Sequence, residues 1–130
     1  MTKTRHFAKY HLPVILYAGA VLALSSIPDL GRPPVRILAA DKIAHFVEYG
    51  IFAWVAFRSF SNIDRNYPLV RAFLLSVTFI LAFAILDEYY QRFVPGRHFD
   101  IYDLLTDAGG AILVLLLIWM RKKREQAPPA

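Results

Sequence analysis

The sequence predicts an all-α, polytopic membrane protein, with four transmembrane helices in one bundle formed by a single domain over residues 1–130. Three observations predict it. First, 57% of the 130 residues are hydrophobic, and they come in continuous blocks instead of at a helical or strand period. A soluble helix keeps a polar face for water, and these blocks leave none. Second, there are four such blocks, each extendable to the roughly 20 residues that cross a bilayer. Third, charge is sorted by side. Ten of the fifteen basic residues fall at Lys3, Arg5 and Lys9, at Arg58, Arg65 and Arg71, and at Arg121, Lys122, Lys123 and Arg124. With four spans those three places share one side, which the positive-inside rule makes the cytoplasm, with both termini there. A chain of this length is one domain.

The spans are expected at about 10–27, 41–60, 69–88 and 100–120. Pro13 stands in the first turn of the first span, where its missing N–H is harmless. A basic start and Ala18-Gly19-Ala20 imitate a signal peptide, but cleavage would leave three helices without their neighbour, so the segment is read as retained. Pro28 ends the span, and the stretch to Ala40, with Pro33 and Pro34, reads as an outside loop. In the third span the purely apolar part, 72–86, is about 22 Å long at 1.5 Å per residue, against a hydrocarbon core of about 30 Å. Including the acidic turns makes up the deficit, which places polar groups at the level of the outer leaflet. Trp119 and Tyr67 suit the inner interface, and Tyr89, Tyr90 and Tyr102 the outer one.

The net charge of +5 does not point to nucleic acid, because the terminal Arg-Lys-Lys-Arg reads as a topology anchor with affinity for anionic lipid. The absence of cysteine excludes thiol nucleophiles, iron–sulfur clusters and disulfides.

Eight of the ten acidic residues gather at the other side: Asp29, Asp41, Glu48, Asp87, Glu88, Asp100, Asp103 and Asp107. A charge within or bordering hydrocarbon costs a few kcal/mol, so such residues are rarely idle. Asp41, His45 and Glu48 stand at i, i+4 and i+7, one stripe of the second helix. Asp41 is placed to cap that helix, whereas Glu48 lies two turns deep and is read with His45 as a functional pair. The third helix ends in Asp87-Glu88-Tyr89-Tyr90-Gln91. Glu88 and Gln91 are one turn apart, and Asp87 points some 100° away from Glu88. Two carboxylates at a helix C-terminus oppose the dipole and need a cation, Arg92 or Arg97 beside them. Pro95-Gly96-Arg97 makes a tight turn that returns Arg97 toward the acidic ends, as an ion-pair partner or as a bidentate clamp for a phosphate or carboxylate. Asp100, Asp103 and Asp107 form a third stripe, with Asp100 as N-cap. Ala108-Gly109-Gly110-Ala111 then lets another helix approach closely.

These pieces, Leu24-Ser25-Ser26-Ile27-Pro28, Asp41-Lys42-Ile43-Ala44-His45-Phe46-Val47-Glu48-Tyr49, Asp87 to Gln91, Pro95-Gly96-Arg97, and Asp100 to Gly110, resemble in order the VanZ-like family. The resemblance implies a four-helix bacterial inner-membrane protein and a link to teicoplanin tolerance. The family usually has Asn where this chain has Asp107, and the position of Glu48 is variable in it.

Three functions compete. An outer-leaflet enzyme would use a divalent cation (Mg, Mn or Ca) on a lipid-linked phosphate. Asp87, Glu88, Asp103 and Asp107 would hold the ion, His45 and Glu48 would serve as base or ligand, and Arg97 would neutralise the phosphate. Asp41, Gln91 and Asp100 would be further polar groups, and Ser25 or Ser26 a nucleophile activated by His45. One His among many oxygens argues against zinc. An accessory protein would use the same groups to bind a membrane lipid or lipid-linked envelope precursor without turnover. An ion-coupled carrier is the weakest reading, because all the charge sits at one end of the spans and a carrier needs access from both sides.

Overall fold

The computed structural model describes residues 2–28, 35–64 and 66–126, the side chains of 35–39 excepted. Asp29, Pro33, Pro34 and Arg65 therefore lie outside the described residues. Among the described residues five helical segments follow one another: α1 Lys3–Tyr10, α2 Leu12–Ser25, α3 Val35–Phe60, α4 Leu69–Gln91 and α5 Ile101–Gln126. Among the described residues there is no strand.

The interruption between α1 and α2 falls at His11, and Pro13 explains it. A proline cannot donate to the carbonyl four residues back, here that of Lys9, and its ring crowds that carbonyl. The backbone keeps right-handed angles there (φ −103°, ψ −35°), so the two segments run on as one stretch, Lys3–Ser25. At its far end the Ser26 N–H and hydroxyl both donate to the Leu22 carbonyl, closing the last turn two residues before Pro28.

α3 begins at Val35, six residues before the expected start at 41. Nothing in 35–40 opposes a helix, and the prolines that would do so precede it in sequence. Asp41 therefore lies inside α3 and is not its N-cap. The other ends move less: α4 starts at the expected 69 and runs to Gln91, and α5 continues past 120 through its basic end.

α3 is the central helix, packed against α2, α4 and α5. It contributes Tyr49, Phe52, Ala53, Ala56 and Phe57 to the core, with the Phe52 ring edge-on to Phe79 at 5.7 Å and to Phe83 at 4.9 Å. On α4 the buried stripe is Ala72, Ser76, Ile80 and Ala84, and it continues into Asp87, Glu88 and Gln91. On α5 the buried residues are Asp103, Asp107, Gly110, Ala111 and Leu115. The acidic residues are thus the outer continuation of the stripes that build the apolar core. Large apolar side chains such as Leu16, Leu74, Leu86, Leu105 and Leu117 cover the outside.

Among the described residues three stretches are long and apolar enough to cross a membrane, Lys3–Ser25, Leu69–Gln91 and Ile101–Gln126. α3 is as long but carries Asp41, Lys42, His45 and Glu48 in its outer half, so three spans, not four, stand on length and composition. A helix surrounded by three others can carry such residues because it turns them to protein instead of lipid.

Two helices come close together where α3 meets α5. A Cβ built on Gly110 would lie 2.1 Å from the carbonyl oxygen of Phe46, so only glycine fits. The small-residue stretch expected to admit another helix does so here.

Candidate functional site

Four elements bring polar side chains to one end of the bundle: the end of α2, the outer half of α3, the end of α4 with the turn after it, and the start of α5. The turn is tight because Gly96 takes φ 77°, in the left-handed region that glycine enters without strain. Asp100 caps α5 as expected, its Oδ1 accepting the Tyr102 N–H at 2.8 Å.

The side chains then separate into two groups. The separation starts at Asp87 and Glu88, since consecutive residues point about 100° apart on a helix. Glu88 faces α3 and α5. Its Oε2 accepts the Asp100 N–H at 3.1 Å, and beside it His45 Nδ1 bonds Asp107 Oδ1 at 2.9 Å. One potential ligand atom each from His45, Glu88 and Asp107 lie within 4.8 Å of one another. A second set, Asp41, His45 and Asp103, meets the same limit, so His45 belongs to both. Lys42 completes this group: its Nζ bonds Asp100 Oδ2 at 3.0 Å and Asp103 Oδ1. Glu88 and Asp107 are fully buried, yet Glu88 Oε1 and Asp107 Oδ2 have no hydrogen-bond partner. Buried polar atoms without partners are rare, and these two lie among atoms that could hold a metal ion.

Asp87 faces α2 and α3 instead. Its Oδ2 accepts the Ser25 hydroxyl at 2.8 Å, the Tyr49 hydroxyl at 3.2 Å and the Gln91 amide at 3.5 Å. Gln91 Nε2 also donates to Ser25 Oγ at 3.4 Å, and Gln91 Oε1 accepts Arg97 Nε at 3.1 Å and Nη2 at 2.7 Å. Ser26 lies at the edge, with its hydroxyl 2.9 Å from that of Tyr90.

Several expected pairings are therefore replaced by others. Ser25 meets Asp87 and not His45, and Ser26 meets Tyr90, so neither serine is placed for activation by the imidazole. His45 turns to Asp107 across the helix interface instead of to Glu48 along its own helix. Glu48 is half-buried, its backbone carbonyl holds the Tyr17 hydroxyl at 3.0 Å, and it joins neither three-residue set. Asp87 is likewise in neither set, whereas Glu88 and Asp107 fall in the first and Asp103 in the second. Arg97 does turn back, but to the amide oxygen of Gln91 and not to a carboxylate.

Two participants were missed in the sequence. Lys42 is one of only five basic residues on the acidic side, and that excess of carboxylates called for an internal cation. Tyr49 is fully buried and stands one turn after His45, which makes a tyrosine between two acidic stripes a natural donor.

A family model described as VanZ/LLP1 matches residues 3–122 of the chain. No curated protein and no solved structure matches it.

Proposed function

The chain belongs to the VanZ/LLP1 family, and on that premise we propose that it is a four-span protein of the bacterial inner membrane, both termini cytoplasmic, that holds a divalent cation at His45, Glu88 and Asp107 and acts there on the phosphate of a cell-envelope lipid or lipid-linked precursor. The observation that carries this is the pair of fully buried, unpartnered oxygens, Glu88 Oε1 and Asp107 Oδ2, beside His45. One imidazole and two carboxylates suit magnesium, manganese or calcium better than zinc. A cation there would supply charge neutralisation and polarisation of a phosphoryl oxygen. The protein's own part is to hold that site in a packed, water-poor surround. His45 is oriented by Asp107 and Glu88 by the Asp100 N–H. Arg97, steadied by Gln91 through Nε and Nη2, keeps further guanidinium N–H groups for a phosphate. Teicoplanin tolerance, the trait associated with the family, would follow from a changed envelope lipid or precursor. A second reading is recognition without turnover, in which the same groups hold the phosphate and no bond is broken; the bond from His45 Nδ1 to Asp107 orients the ring equally well as a ligand or as a base.

The test uses detergent-purified protein and Mn²⁺ followed by electron paramagnetic resonance. Wild type is expected to bind the ion, and His45→Ala and Glu88→Gln to lose it while reaching normal membrane levels and losing the tolerance phenotype. Asp107→Asn keeps one oxygen ligand and should be mild. Removing one partner of a purely structural buried ion pair costs about 3–5 kcal/mol. If His45→Ala and Glu88→Gln disappear from the membrane while Asp107→Asn remains, the cluster is structural and the proposal fails. Release of inorganic phosphate from a lipid phosphate in vesicles separates turnover from recognition.

A further inference from the structure

The two ligand sets share His45 but differ in what already neutralises them. The hydrogen bonds to the inner carboxylates come from the His45 ring and the Asp100 backbone N–H. In the outer set, Asp103 is ion-paired to Lys42, which also holds Asp100. Lys42 precedes His45 by three residues, so the two share a face of α3, with Lys42 nearer the helix start. From there its side chain reaches the first turn of α5. The ammonium is thus bonded to Asp103, one of the three residues of the outer set, and to Asp100 beside it, and so takes up a carboxylate that a second ion would need.

We propose that Lys42 is a tethered cation that fills the outer half of a two-ion pocket and limits the protein to a single divalent ion at the inner half. This rests on the reading of His45, Glu88 and Asp107 as a cation site. An ammonium and a divalent ion compete for the same carboxylate oxygens, and at such separations they repel each other strongly in a partly buried setting. Because Lys42 belongs to the chain, it occupies its place at any ion concentration, whereas a free ion must be bound from solution. Without it, Asp41 and Asp103 would face His45 with no ammonium between the chain's own carboxylates. Two carboxylates and an imidazole form an oxygen-rich donor set of the kind manganese takes. Lys42 is then a specificity-determining residue, because it sets how many ions the pocket takes.

A Lys42 that merely ties α3 to α5 would, on removal, lower stability and leave ion binding as it was. The experiment counts Mn²⁺ on the full chain in detergent by electron paramagnetic resonance. Wild type is expected to take about one ion, Lys42→Met about two, and Lys42→Arg, which restores a cation, about one again. The two ions of Lys42→Met should lie close enough to broaden each other's spectrum, since their ligand sets adjoin at His45, and adding Asp41→Asn should remove the second. A Lys42→Met count equal to wild type overturns the proposal. So does a wild-type chain that already takes two ions, an outcome that needs no variant. Where Lys42→Met does not accumulate, Lys42→Gln, which keeps a hydrogen bond to Asp103, carries the same count. The readout for Lys42 is the increment over wild type, whereas the inner site is judged by the wild-type count itself, so the two readings fail separately.

Discussion

Adding one methyl group at Gly110 should separate α3 from α5, and the cost can be worked from the contact. A Cβ at that position would lie 2.1 Å from the Phe46 carbonyl oxygen and within 3.0 Å of two further backbone atoms of the same residue. An ordinary carbon–oxygen contact is about 3.3 Å, so the helices must part by about 1.2 Å. Backbone on both sides leaves no side chain able to swing away. A gap of that size forfeits a quarter to a half of the dispersion attraction along the face, and overpacking of this kind costs about 3 kcal/mol, the upper end of its usual range. The loss reaches the site, because Phe46 follows His45 and Gly110 lies one turn from Asp107. Added to the His45–Asp107 bond of 2.9 Å, the same shift gives about 4 Å, too long for a hydrogen bond. Gly109→Ala is the control. Its Cβ would meet only the Phe46 ring at 3.6 Å, an ordinary contact, and alanine favours the helix by about 1 kcal/mol over glycine. Thermal unfolding in detergent, followed by far-ultraviolet circular dichroism, should therefore show Gly110→Ala strongly destabilised and Gly109→Ala equal to wild type or better. Equal stability of these two neighbours would refute the close approach and the positioning of His45 that depends on it.

Two further predictions concern Asp87 and topology. Ser25→Ala and Tyr49→Phe each remove one donor from Asp87 and should each cost about 1 kcal/mol. The double variant should cost more than their sum, since the buried carboxylate then keeps only Gln91, and a strictly additive cycle would show that the two hydroxyls do not share it. Single cysteines placed in this cysteine-free chain at Gly96 and Asn62 should be labelled from the periplasm and the cytoplasm, respectively. Periplasmic labelling of Asn62 would reverse the orientation.

Much of the architecture is written in local chemistry. Apolar blocks make the helices, and Pro13 marks where the first one is interrupted. Gly96 and Asp100 set the turn and the cap before α5, because glycine's freedom at positive φ and a carboxylate's fit to free N–H groups depend on nearest neighbours alone. The stripes Asp41/His45/Glu48 and Asp103/Asp107 are likewise legible, since helical periodicity decides which residues share a face. The start of α3 was misplaced because Asp41 offered a plausible cap, yet nothing in the six residues before it stops a helix.

What the sequence by itself determined, then, is that an acidic, histidine-bearing end exists and which side chains lie together along each helix. Only the tertiary structure decided who meets whom across helices: His45 with Asp107, Ser25 and Tyr49 with Asp87, Lys42 with Asp100 and Asp103. The physical reason is that a helix's period leaves its rotation and its neighbours undetermined. Those follow from packing the whole bundle, above all from the point where Gly110 lets α5 come against the backbone of Phe46. That contact brings His45 and Asp107 together, and packing α4 against both helices turns Glu88 to their polar group and Asp87, a single residue earlier, to the other.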